Sequence, residues 1–256
     1  MRNSTKVHRT EIILFFLLIV TDVRISAGQI LPQDLSLNRI TSVPDASHRS
    51  GEKITSLIRS VELEPGESRP LTRLGVAYID AGLYTEAITS LRKAIIINSN
   101  DAYAYTALGN VMYRLERFEE SISAYEQAVK IKADLPSAYA GLGQSLIREH
   151  RIRAAIEALA TAVRLDPTDA ISQNDLGYAY VQAEEFGLAV KQFREALGKL
   201  PRLHVARQNL SVAYLRSGDR DAALREYAIL SKSDASLSAA LEPILFENMI
   251  VKAKTP

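Results

Sequence analysis

Glycine returns at a fixed interval: Gly75, Gly109, Gly143 and Gly177 stand 34 residues apart, and the next step lands on Ser211. The frame holds at several other offsets. Leu74, Leu108, Leu142, Leu176 and Leu210 precede those positions, and Ala87, Ser121, Ala155, Ala189 and Ala223 follow them by twelve residues. Four residues further on come Leu91, Tyr125, Leu159, Phe193 and Tyr227, then after three more Ala94, Ala128, Ala162, Ala196 and Leu230. Pro167 and Pro201 close two of the units. A period of this length means one supersecondary unit in repeated copies, each too small to bury its apolar face except against its neighbours.

Each unit, counted from Ser68, Ala102, Pro136, Ala170 and His204, reads as two helical stretches with a short break between them. In the first unit they run from about Pro70 to Ala81 and from about Thr85 to Ile97. Leu71, Leu74, Gly75 and Tyr78 recur at spacings of three and four and so share one helix face. Gly82 and Gly218 fall in breaks, where a left-handed residue ends a helix at low cost. Small residues at positions eight and twenty let two helices approach closely, and Leu91, Tyr125, Phe193 and their equivalents fill the space between.

The pattern resembles the tetratricopeptide repeat over residues 68–235, about two-thirds of the chain. That resemblance implies an all-α fold: a right-handed α-solenoid superhelix of stacked antiparallel helix hairpins with a concave face. Pro65 lies in the closing-proline frame of an earlier unit. Residues 51–67 are therefore expected to form a degenerate half repeat, with Ile54, Leu57, Ile58 and Val61 as the apolar stripe of its second helix. Residues 236–256 are expected to hold a capping helix and a tail, with Leu237, Leu241, Ile244, Leu245 and Ile250 apolar and Pro243 kinking or shortening the helix. The alternative is a helix that docks on a partner or a second copy.

The first 28 residues read as an address. Arg2, Lys6, His8 and Arg9 precede an apolar run from Ile12 to Val20, and Ser26, Ala27 and Gly28 supply small residues for cleavage. Nine apolar residues are too few to span a bilayer, so a secretory signal is expected, with an uncleaved anchor as the alternative. Residues 29–50, with Pro32 and Pro44, read as a linker. Lysine plus arginine (31) nearly equals aspartate plus glutamate (30), too even a balance to attract nucleic acid. Removing residues 1–28 takes away four basic and two acidic residues and leaves 27 against 28. The chain has no cysteine, which excludes disulfides, thiolate metal sites and lipid attachment through cysteine.

If positions four, seven, eight and eleven of each first helix pack inward, positions two, five, nine, twelve and thirteen face the groove. The partner-binding residues expected are Arg69 and Thr72 on this ground in the first unit, together with the adjacent Arg73, and Tyr103, Thr106, Asn110, Tyr113 and Arg114 in the second. Gln144 and Arg148 follow in the third, Asn174 and Tyr178 in the fourth, and Gln208 and Arg216 in the fifth. Amides can bond the backbone of an extended partner, and tyrosine offers contact area at little entropic cost. Arg114, Arg148 and Arg216 share position thirteen and suit a partner carrying carboxylates; the alternative is that they only complement helix C-termini. Some members of the family grip a C-terminal carboxylate with lysine at position five and asparagine at position nine of the first unit. Thr72 and Val76 stand there instead, so that clamp does not carry over.

Chemistry is poorly signalled. His8, His48, His150 and His204 are scattered, with His150 in a break between helices. Gly141-Leu142-Gly143 begins like a dinucleotide fingerprint but follows no strand. Asn209-Leu210-Ser211 is a glycosylation triplet at packing positions. No catalytic residue, metal or cofactor is expected. The expected function is an exported, non-enzymatic scaffold that binds a protein or peptide in its groove. The alternatives are a self-assembling structural protein whose C-terminal helix docks in a neighbouring copy and, less favoured, a small enzyme or regulatory subunit.

Overall fold

The computed structural model describes residues 46–252. The expected signal (1–28) and most of the expected linker lie outside them. Among the described residues there are twelve helices and no strand. The first, α1 (Ala46–Leu63), starts inside the stretch read as linker to residue 50, where no proline or glycine breaks the chain between Pro44 and Gly51.

Five hairpins follow in register: α2 (Ser68–Asp80) with α3 (Tyr84–Ile97), α4 (Ala102–Arg114) with α5 (Phe118–Ile131), and α6 (Pro136–Arg148) with α7 (Ile152–Leu165). Then come α8 (Ala170–Gln182) with α9 (Phe186–Lys199) and α10 (His204–Arg216) with α11 (Arg220–Ser233); α12 (Ala235–Lys252) ends the array. Asp101 and Asp169 cap the starts of α4 and α8 through side-chain bonds to backbone N–H groups. Pro136 opens α6, where its missing N–H costs nothing.

Every break uses one device. Gly82, Glu116, His150, Glu184 and Gly218 occupy the same frame, and all five are left-handed, with φ of 75°, 59°, 57°, 61° and 89°. In each, the left-handed residue's N–H bonds back three residues and the next N–H bonds back five, as in Gly82 to Ile79 (3.0 Å) and Leu83 to Tyr78 (2.8 Å). This pair of bonds satisfies carbonyls that the helix end leaves open. The middle three breaks accept the cost of a non-glycine residue there.

The repeated glycine is the seat for one large side chain. A Cβ on Gly75 would lie 2.5 Å from Leu91 Cγ, on Gly109 2.8 Å from Tyr125, and on Gly177 2.7 Å from Phe193. A Cβ on Gly143 would strike Leu159 in the same way, and one on Gly141 would strike the Tyr125 ring from the next unit. Gly141 thus has a packing role that the dinucleotide reading could not supply. Leu91, Leu159 and Phe193 are fully buried and Tyr125 nearly so.

First helices of successive units touch one another, and among the described residues the second helices do not. The array is therefore tighter on the first-helix side, which makes that side concave. At the end, α12 touches both α10 and α11, as a sixth first helix would. Leu245 stands in the glycine frame, one period after Ser211, and is buried with Leu241, Ala223 and Leu230. Helix α12 continues through Pro243 and is not shortened by it.

Candidate groove site on the first helices

The expected groove residues divide by burial. Arg69, Arg73, Tyr103, Asn110 and Arg216 are exposed, and Tyr113, Arg114, Gln144, Arg148 and Tyr178 are half-buried. Position five is a correction. Thr72 (7% exposed), Thr106 (8%), Asn174 (8%) and Gln208 (2%) lie beneath their neighbours, where a partner cannot reach them. Adjacent first helices touch there, so the side chain turns into the contact. Thr72 Oγ1 donates to Asp101 Oδ2 at 2.8 Å, which ties α2 to the capped start of α4. Thr106 donates to its own helix, to Ala102 O at 2.8 Å.

The middle of the concave face holds a polar chain that crosses three units. Gln144 Nε2 of α6 donates to Asp175 Oδ2 of α8 at 2.6 Å. Asn174 Nδ2 donates to Asp175 Oδ1 at 3.3 Å, and Asn174 Oδ1 accepts from Asn209 Nδ2 of α10 at 3.0 Å. Asp175 and Asn209 occupy position six, which the sequence reading left out of the groove beyond Arg73. Their frame reads Arg73, Ala107, Gly141, Asp175 and Asn209, and no property repeats in it to mark it. Burial pushes the Asp175 carboxyl up to about 6, while the bonds from Gln144 and Asn174 pull it back.

Beside this chain lies an aromatic and cationic cluster. The Arg148 guanidinium sits over the Phe118 ring, 4.2 Å from its centroid. Tyr113 meets the same ring edge-on, with centroids 5.5 Å apart. Burial raises the Tyr113 hydroxyl, opposed by Arg148 and aided by the charge of Asp175. Burial likewise raises Tyr178, with Arg148 again opposing. Tyr113, Arg148, Asp175 and Tyr178 therefore share one electrostatic neighbourhood on α4, α6 and α8. Phe118, the first residue of α5, is a member that position counting on first helices could not find. Among the described residues, no carboxylate lies within ion-pair distance of Arg148.

Asn110 Oδ1 accepts a hydrogen bond from the buried Tyr125 hydroxyl, so it is anchored from below while its edge faces out. Tyr103 is covered on one side by Lys132, whose Nζ donates to its hydroxyl at 2.8 Å. Arg114, Arg148 and Arg216 each end a first helix, where a cation also complements the helix dipole. Of the three, the contact with Phe118 distinguishes Arg148. His150 holds an exposed left-handed break. In the glycosylation triplet, Leu210 and Ser211 are buried, and Ser211 Oγ donates to Ala223 O at 2.9 Å.

Family models match three stretches: a TPR repeat over residues 75–116 and tetratricopeptide repeats over 102–134 and 141–203. The chain is a tetratricopeptide-repeat (TPR) protein. Solved TPR structures superpose on it at low identity. YrrB, a TPR protein with an unusual peptide-binding site, matches at TM-score 0.62 and 20% identity over 73% of this chain and 97% of its own. MamA from Desulfovibrio magneticus RS-1 gives 0.61 and 18% over 66% and 96%. PilF from Pseudomonas aeruginosa gives 0.66 and 16% over 75% and 87%. These likenesses carry the fold. No curated protein sequence matches this TPR chain.

Proposed function

We propose that this TPR protein is exported and works as a non-enzymatic scaffold, holding an extended segment of a partner protein along its concave face. The observation that carries this reading is the neighbourhood of Tyr113, Phe118, Arg148, Asp175 and Tyr178. It joins aromatic area to a guanidinium that has no ion-pair partner among the described residues, on the side of the array where first helices converge. Arg148 offers a planar donor fork to a carboxylate of the partner. Asn110 and Gln144 stand at the ninth position of neighbouring units, spaced to bond successive stretches of an extended backbone. The likeness to YrrB, whose peptide-binding site is known, supports a peptide as the kind of ligand.

The alternative is self-assembly through the last helix. Leu241 and Leu245 of α12 are already buried on this chain's own fifth unit. Leu245 also fills the glycine frame of α12, the place where a further helix would pack. Both observations favour the scaffold.

Exchanging Arg114, Arg148 and Arg216 for glutamate tests the site. Helical content by circular dichroism should be unchanged, since none of the three is buried. Affinity for an acidic partner segment should fall at least about tenfold, and affinity for a neutral one should hardly change. Unchanged binding of every partner would assign the arginines to helix termini alone. Export is tested by sequencing the N-terminus of the protein recovered from the envelope or medium. A start at Gly28 or Gln29 is expected, and an intact Met1 in the membrane fraction contradicts cleavage.

A further inference from the structure

Asp175 does something that the repeat itself does not require. Its equivalents in the other units are Arg73, Ala107, Gly141 and Asn209, so the fold is built without a carboxylate at this position. Asn209 joins the same hydrogen-bonded chain with an uncharged amide. Among the described residues, no lysine, arginine or histidine lies within ion-pair distance of Asp175. A half-buried carboxylate without a cation is costly to keep ionised, and amide donors offset only part of that cost.

We infer that Asp175 is the recognition point for a basic side chain, lysine or arginine, on the segment that the groove holds. The inference rests on the groove reading and gives the partner its second charge. Gln144 and Asn174 each donate one N–H to the carboxylate, which fixes its orientation and leaves lone pairs free for a cation. Tyr178 stands three residues along α8, on the face that Asp175 shares. Tyr113, close enough to feel the charge of Asp175, comes from α4. Two tyrosines beside a carboxylate suit the alkyl stem and charged head of lysine, or the plane of a guanidinium. Burial raises the Asp175 carboxyl to about 6, so the site is ionised and short of a counter-charge at neutral pH. Arg148 does not neutralise it, since its guanidinium lies over Phe118. The segment that fits presents an acidic group to Arg148 and a basic group to Asp175.

Selection from a phage-displayed library of random decapeptides by the full chain, by Asp175→Asn and by Asp175→Glu tests this at pH 7.5. The native chain should enrich lysine or arginine at one fixed position at least about tenfold over Asp175→Asn, and Asp175→Glu should keep the preference. Both variants are checked by thermal melting. If either fails to fold, the native selection decides alone, because enriched peptides without a basic position overturn the inference. The same basic position enriched by Asp175→Asn also overturns it. Failure of every form to enrich any peptide counts against the groove reading itself, and the inference falls with it.

Discussion

The second and third units and the C-terminal end share one frame and use it in opposite ways. In the middle, glycine at position eight receives a large side chain: Gly109 receives Tyr125 and Gly143 receives Leu159, both of them buried. In the fifth unit Ser211 replaces glycine, and Tyr227 stays half-buried and donates to Glu242 of α12 at 2.7 Å. One step later Leu245 fills the frame outright. A small residue leaves room for a side chain of the next helix, and a large one fills that room itself. The same backbone register thus serves both arrangements, and side-chain volume decides which.

The largest effect should come from emptying a middle seat. Tyr125→Ala should cost about 3–5 kcal/mol in denaturant unfolding, since the ring is buried between Gly109 and Gly141 and its hydroxyl holds Asn110. Tyr227→Ala, in the same frame at the end, should cost no more than about half of that. Equal costs would break the comparison.

Filling a middle seat should cost less. Gly143→Leu, which makes the middle resemble the position of Leu245, should destabilise by about 1–3 kcal/mol because Leu159 has nowhere to move. A neutral result in urea titration would show that the frame tolerates volume everywhere.

Asp175→Asn should act in the other direction. The native carboxyl binds its proton more tightly than the usual 3.8, so ionising it opposes folding. Stability of the native chain should therefore fall as pH rises from about 4 to about 6 and stay lower above that. The variant should be more stable by about 1–2 kcal/mol at pH 7.5 and show no advantage below pH about 4. A thermal-melting series from pH 3.5 to 8 checks this; a variant less stable at pH 7.5 contradicts the account of the carboxylate.

The smallest effect concerns the breaks. His150→Gly should stabilise by about 0.5–1 kcal/mol by relieving a left-handed residue with a side chain, where the end of the array already uses Gly218. Chemical denaturation resolves a change of this size.

The helices were legible because period and face repeat together. A first helix predicted from about Pro70 to Ala81 lies at Ser68–Asp80, and a second predicted from about Thr85 to Ile97 lies at Tyr84–Ile97. The site was legible only in part. Tyr113, Arg148 and Tyr178 come together, but position five turned out to be the seam between adjacent first helices, which hides Thr72, Thr106, Asn174 and Gln208. A seam depends on how closely neighbouring units approach, and counting along one helix carries no information about that distance. Asp175, Asn209 and Phe118 escaped for the complementary reason. No property repeats in the frame of Asp175 and Asn209, and Phe118, in a frame that reads Tyr84, Phe118, Ile152, Phe186 and Arg220, opens a second helix that position counting on first helices leaves out.

The claim that the concave face holds a protein partner is tested most directly by site-specific photo-cross-linking in the native cell. A benzophenone amino acid replaces either half-buried Tyr178, on the first-helix side, or exposed Glu157, on second helix α7. A discrete adduct formed from position 178, absent from position 157 and lost when Arg148→Glu is added, is the predicted result. Adducts of equal yield from both positions, or from position 157 alone, would contradict it.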